Sequence, residues 1–194
     1  MSYKIEKLME ESGVGFGTSG ARGLVSAMTD RICFAYTKAF LQHLIAQGSV
    51  TSGSGVAFAG DYRPSSERIM KAVAAAIIDS DCTPIYCGTI PSPAVALYGI
   101  AKGIPAIMVT GSHIPDDRNG IKFNKASGEI NKSDEAGIKS QTIAIDEGRF
   151  DAESITILQR FDLTLSRVIE GSSVLFTQSC VFERQLIAIW PFCE

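Results

Sequence analysis

Short, wholly apolar segments alternate with helical patterns along the first 150 residues, and this alternation constrains the fold more than any other feature. GVAFAG (55–60), TPIYCG (83–88) and AIMVT (106–110) each read as a buried strand. Between them run segments of helical spacing. Thr29 and Asp30 open a helix over 32–47 that Gly48 stops, and Ser65 or Ser66 caps a second over 67–81. A third covers about 94–102, and Ser133 caps a fourth to about Ile145. Strands that recur between helices pair most simply as parallel neighbours, with the helices laid on both faces. The expected fold class is therefore α/β, a three-layer α/β/α arrangement with a mostly parallel mixed sheet. GIKFN and GEI read as a hairpin turning at Lys125 to Gly128, which adds an antiparallel edge. GVGFGTSGARG (13–23) reads as a turn or loop. The alternation fades after Phe150. Residues 1–150 are expected to form one domain, and 151–194 a linker helix and the start of a truncated second domain, with LIAIW (186–190) as its strand.

Composition narrows the function classes. With 194 residues the chain is long enough to bury about 70% of its unfolded surface without disulfides or metal. Lys plus Arg is 18 and Asp plus Glu is 21, so neither a nucleic-acid coat nor a polybasic membrane binder is expected. No apolar run approaches the length of a membrane span, and the N-terminus has no secretory core. Five cysteines without a CxxC pair read as reduced thiols of a cytoplasmic protein. Only two histidines, His43 and His113, are present, which weakens any all-protein transition-metal site.

In a sheet of this kind, ligands gather beyond the carboxyl ends of the strands. The loops expected there are DYRPSS, TIPSP and GSHIPDDRNG. In the last, Ser112 follows a buried strand and shares its segment with His113, Asp116, Asp117, Arg118 and Lys122. A hydroxyl amid cations suits a phosphoryl carrier; the plainer alternative is a solvated turn with charged ends. Ser112 and His113 are not expected to form a dyad, since neighbouring side chains diverge, and parity does not tell which way Lys122 projects. Gly15, Gly17 and Gly20 spell GxGxxG, but no strand precedes them and no helix follows at once, as a dinucleotide fingerprint requires. That glycine loop, with Thr18, Ser19 and Arg22, suits a phosphate contact or else a mobile turn. Arg63 reads either as a substrate-phosphate ligand or as the structural partner of Asp61.

FGTSGARG (16–23), GDYRPSS (60–66) and TGSHIPDDRNGIKF (110–123), in that order and spacing, resemble the N-terminal domain of the α-D-phosphohexomutases, and most closely their bacterial phosphomannomutase branch. The resemblance runs from about Gly15 to Phe150. It implies interconversion of hexose 1-phosphate and 6-phosphate through a phosphoserine and a bisphosphate intermediate. Ser112 would be that phosphoserine, and its phosphoryl oxygen a ligand of Mg²⁺. Arg22 and Lys122 would assist proton transfer and neutralise charge, and His113 would help bind phosphate. The implied partners are a mannose or glucose phosphate, hexose 1,6-bisphosphate as activator, and the remaining mutase domains in cis. The family's DGDxDR-type magnesium loop, sugar-reading loop and distal phosphate loop do not occur in these residues. The expectation is thus a first domain inactive alone. The alternative is a truncated folded module that acts at most in binding or interaction.

Overall fold

The computed structural model describes residues 1–150 apart from Thr18. The expected phosphate contact at Thr18, the linker helix and the LIAIW strand lie outside the described residues, as do Cys180 and Cys193.

The chain opens with a three-residue strand, β1 (Ser2–Lys4), and helix α1 (Ile5–Ser12), which buries Ile5 and Leu8. Two strands, β2 (Gly15–Phe16) and β3 (Gly20–Leu24), then form an antiparallel pair. This corrects the loop expected at 13–23. Gly20 and Gly23 are glycines because neighbouring chain lies against them. A Cβ at Gly20 would stand 2.0 Å from the Ile121 carbonyl oxygen, and one at Gly23 2.7 Å from the Val14 side chain. Here glycine marks close packing within a sheet, not a loop.

Helix α2 (Asp30–Ala46) starts where Thr29 caps it, its hydroxyl accepting from the Ile32 amide at 3.3 Å. Strand β4 (Gly55–Gly60), helix α3 (Ser66–Asp79), strand β5 (Thr83–Thr89), helix α4 (Ser92–Lys102) and strand β6 (Ala106–Val109) follow in the expected alternation. Gly103, left-handed at φ 66°, closes α4. Strands β7 (Arg118–Lys125) and β8 (Gly128–Glu129) make the expected hairpin.

Helix α5 (Lys132–Lys139) is capped by Asn131, not Ser133, and is shorter than expected. The Asn131 side chain accepts from the Ser133 and Asp134 amides, while the Asp134 carboxylate accepts from the Asn131 amide at 2.9 Å. Beyond α5 the chain turns to β9 (Thr142–Ala144), antiparallel to β1, because alternation there buries Ile143 between two exposed neighbours. A 3₁₀ turn at Glu147–Phe150 ends the described part, with Phe150 edge-on to Phe34 of α2.

The main sheet has the order β2-β3-β7-β6-β4-β5, with β8 paired to β7. The pairs β4–β5 and β4–β6 are parallel; β6–β7, β3–β7 and β2–β3 are antiparallel. The α/β class and mixed sheet are as expected. However, β7 is an interior strand, not the antiparallel edge, because the glycine strand β3 covers its outer side.

Helices cover both faces. Phe123 of β7 stacks on Phe40 of α2 at 4.7 Å, and Met70 of α3 lies over Gly60 of β4, so α2 and α3 share one face. On the other, Val95 of α4 packs with Ala57, Ala59, Ala106 and Met108. Cys33, Cys82 and Cys87 are free thiols, and burial pushes Cys33 up to about 12.

Candidate active site

The segment between β6 and β7 joins antiparallel neighbours, so both its ends are fixed by ladder pairing. Beneath it lies Asp61, one residue beyond β4. One carboxylate oxygen of Asp61 accepts from the Ser66 hydroxyl and, at 3.1 Å, the Arg63 amide. The other accepts from the Thr110 hydroxyl at 2.9 Å and the Gly111 amide at 3.1 Å. Desolvation raises the Asp61 pKa, but those donors outweigh it and hold the carboxyl below the usual range. Ser66 therefore serves Asp61 instead of capping α3. Buried Asn119 at the start of β7 donates to the hydroxyls of both Ser65 (2.8 Å) and Ser66 (3.0 Å), tying the far end of the segment to the same helix.

Arg63 reaches across the same segment. It donates through Nη1 to the carbonyls of Pro115 (2.8 Å) and Arg118 (3.2 Å), and through Nη2 to those of Ser112 (3.3 Å) and Ile114 (2.6 Å). Its Nε faces Asp61 at 3.4 Å and Nη1 lies 3.3 Å from Asp116. Of the two readings for Arg63, the structure places it beside Asp61, with its guanidinium against the loop.

Ser112 is exposed and left-handed at φ 52°. Its amide donates to the Thr110 hydroxyl at 2.8 Å, and its Oγ stands 3.4 Å from His113 Nδ1. The expected divergence of these side chains is thus corrected. A left-handed residue bends the chain, and two successive side chains converge on the solvent side. The separation is long for a hydrogen bond, so this is proximity and not an activated dyad.

Arg22 and Lys122 enter from the sheet. Lys122 is in register with Gly20 and Met108, and Arg22 with Gly120. Paired and alternate residues share a face. Arg22, Gly120, Lys122 and Met108 therefore all lie on the α4 side, which answers the parity question. A Cβ at Gly120 would meet the Arg22 Cγ at 3.1 Å and the Thr110 carbonyl oxygen at 3.2 Å. The Arg22 stem thus leans over Gly120, next to the strand that leads to Ser112. Lys122 Nζ is 3.1 Å from Glu129 of β8, on a side chain one quarter exposed. Ser19 is buried, and its carbonyl accepts from the Phe123 amide at 3.0 Å. The GxGxxG glycines sit in and beside β2 and β3, and the next helix starts only at Asp30. The strand–turn–helix of a dinucleotide site is absent there.

Sequence reasoning missed Thr110, Gly111 and Asn119. They stand inside TGSHIPDDRNGIKF, but their roles, hydrogen bonds to Asp61 and α3 and close packing against Arg63, are not announced by residue type. Among the described residues, no three His, Cys, Asp or Glu side chains gather where a cation could be held. Asp61 is saturated by donors and Asp116 is paired with Arg63, so these residues do not by themselves make a divalent-cation site. Nor, among them, is any helix long and apolar enough to cross a membrane.

The family model described as phosphoglucomutase/phosphomannomutase, alpha/beta/alpha domain I, matches residues 13–149. A phosphomannomutase of Salmonella muenchen is 47% identical over 136 residues, which is 70% of this chain and 28% of that protein. A phosphomannomutase of Sinorhizobium fredii (strain NBRC 101917 / NGR234) is 45% identical over 126 residues, 65% of this chain and 27% of that one. Among solved structures, a phosphoglucomutase/phosphomannomutase family protein from Burkholderia thailandensis superposes with a TM-score of 0.54 at 25% identity, covering 62% of this chain and 28% of its own. This chain spans under a third of the length of each of these relatives.

Proposed function

The chain belongs to the phosphoglucomutase/phosphomannomutase family, whose alpha/beta/alpha domain I it carries, and from that premise we propose that it is the phosphoryl-carrying domain of a phosphomannomutase-type phosphohexomutase. The substrate is a mannose or glucose phosphate. Ser112 holds a phosphoryl group on Oγ. A sugar hydroxyl attacks the phosphorus, the P–Oγ bond breaks, the sugar becomes a bisphosphate and the serine oxygen takes up a proton. The bisphosphate turns over and returns its other phosphoryl group to Ser112, leaving the isomeric monophosphate.

The observation that carries this reading is the exposed Ser112 Oγ, held in a left-handed turn at the end of β6 and braced from beneath by Arg63 and Asp61. A fixed carrier supplies much of what phosphoryl transfer asks of a protein, which is position and charge. His113 beside Oγ is suited to a phosphate oxygen. Arg22 makes no side-chain hydrogen bond to a described residue, and its cation is available to a phosphoryl group or a proton in transit. Lys122 does the same work once it leaves Glu129. Phosphate contacts are also assigned in this reading to Ser19 and to Thr18, the latter outside the described residues. Mg²⁺, when bound, would be held in part by phosphorylated Ser112 and would offset the charge of the phosphoryl group. Hexose 1,6-bisphosphate is the reagent that first loads the serine.

Because the chain spans 28% and 27% of the two curated relatives, full turnover is assigned to this domain acting with further mutase domains in cis, in the cytoplasm. These residues alone accept a phosphoryl group without turning over. The test is intact mass after incubation with hexose 1,6-bisphosphate. A gain of one phosphoryl group, lost in Ser112→Ala, is expected. No gain, or a gain that survives the substitution, overturns the reading.

A further inference from the structure

Arg63 has the most fully occupied side chain near Ser112. A guanidinium has five N–H donors and no acceptor. Two donate from Nη1 to the Pro115 and Arg118 carbonyls, and two from Nη2 to those of Ser112 and Ile114. The fifth, on Nε, points at the Asp61 carboxylate 3.4 Å away. The side chain is only 14% exposed. A phosphate at Arg63 would have to displace one of these main-chain carbonyls, of which that of Pro115 also accepts from the Arg118 amide. The packing around Gly111 adds to this, since a Cβ there would lie 2.3 Å from both Cζ and Nε of Arg63. The guanidinium is therefore laid flat on the main chain of the residue before Ser112.

The four carbonyls come from residues 112, 114, 115 and 118, and thus span the whole segment that carries the serine. Meanwhile Ser112 is in a conformation that a serine keeps only when its surroundings hold it. We propose that Arg63 is a positioning residue and not a phosphate ligand: it is a strut that fixes the main chain of 112–118 and so aims the Ser112 hydroxyl. The inference rests on the reading of Ser112 as phosphoryl carrier. Asp61 is the base of the strut. It takes the Nε side of Arg63 and also the Thr110 hydroxyl and the Gly111 amide, fixing the segment's first residues as Arg63 fixes the rest. Charge alone cannot replace this arrangement. A lysine keeps the cation but lacks the planar fork that meets four carbonyls at once.

The experiment compares the full chain with Arg63→Lys and Arg63→Met. Amide hydrogen exchange is followed at Ile114 and Arg118, whose amides donate to the Gly111 and Pro115 carbonyls within the segment. Exchange at Ala57 and Ile107 in β4 and β6 monitors the fold. The expected result for both variants is loss of protection at 114 and 118 with β4 and β6 unchanged. Protection retained at 114 and 118 in Arg63→Lys overturns the strut. Should Arg63→Met not fold, Arg63→Lys alone decides.

Loading of Ser112 by hexose 1,6-bisphosphate gives the second reading. A strut predicts a maximal loading rate lower by about a hundredfold, as for a misplaced reacting group, with the half-saturating concentration unchanged. A raised half-saturating concentration at an unchanged maximal rate makes Arg63 a phosphate ligand and also overturns the proposal. If the unsubstituted chain never loads, the carrier reading fails, while hydrogen exchange still decides the strut.

Discussion

Ser112 carries a conflict between geometry and chemistry. A left-handed backbone costs an L-residue about 1–2 kcal/mol, and glycine escapes that cost while losing about 0.5–1 kcal/mol through its freer unfolded chain. Ser112→Gly is therefore expected to raise stability by about 0.5 kcal/mol, read as a higher urea midpoint with an unchanged slope. The same substitution removes the hydroxyl, and with it all phosphoryl labelling. A gain in stability with a loss of function at one position is the signature of a residue kept for its chemistry. If Ser112→Gly instead destabilises, the turn is not strained and the backbone argument is wrong. The position of Ser112 was legible because a serine flanked by glycine after a buried strand has few places to go. The partners of Arg63 were not legible. They are main-chain carbonyls, which no residue type announces.

At the scale of elements, the junction of α2, β7 and α5 makes a prediction of its own. Asp134, 3% exposed, closes the capping box of α5, pairs with Lys125 at 2.7 Å and lies 3.3 Å from His43. Desolvation works against its charge. The Asn131 amide, Lys125 and His43 outweigh that and take its pKa from an ordinary 3.8 down to about 2. A depressed carboxyl stabilises the fold fully above its unfolded pKa and loses that contribution as pH falls to the folded one. The loss, about 2 kcal/mol, is expected between about pH 4 and about pH 2. Urea titrations in Asp134→Asn should show a shallower decline across that window and lower stability at neutral pH. An identical pH slope in both proteins removes Asp134 from the account. Helices α2, α3 and α4 and the strands β4 and β6 were readable because burial forces apolar patterns; α1 was not read, and β5, expected to be buried, is a half-buried strand at the sheet edge. The glycine strand β3 was not, because the close contacts that demand glycine are seen only once β7 is beside it. The α5 boundaries failed for a related reason. Asn131 and Ser133 are both acceptable caps, and only the reciprocal bond from Asp134 selects the first.

At the scale of the whole described domain, the start of the chain is fastened to its later part. Strand β1 pairs with β9, and the Met1 ammonium donates to the Ile145 carbonyl at 2.7 Å. Ile5, Ile143 and Ile145 are buried beside this pair. Deleting residues 1–4 should expose Ile143 and lower stability by about 2–3 kcal/mol, seen as a lower melting temperature. The α2–β7 core, read by hydrogen exchange at Phe40 and Phe123, should persist. A melting temperature unchanged by the deletion removes the fastening role. None of this was visible in the sequence, since two three-residue strands some 140 residues apart leave no local pattern.

The junction between β6 and β7 also limits which length changes the chain can accept. Its two ends belong to strands that alternate between faces, so one inserted residue between 111 and 117 cannot be absorbed quietly. If the extra residue passes into β7, the alternation inverts: Phe123 turns from α2 to the opposite face and Lys122 is driven into the aromatic core. If it stays in the turn, the carbonyls move out of reach of Arg63. Substitution at an exposed position such as Asp117 leaves this backbone path in place; insertion and deletion do not.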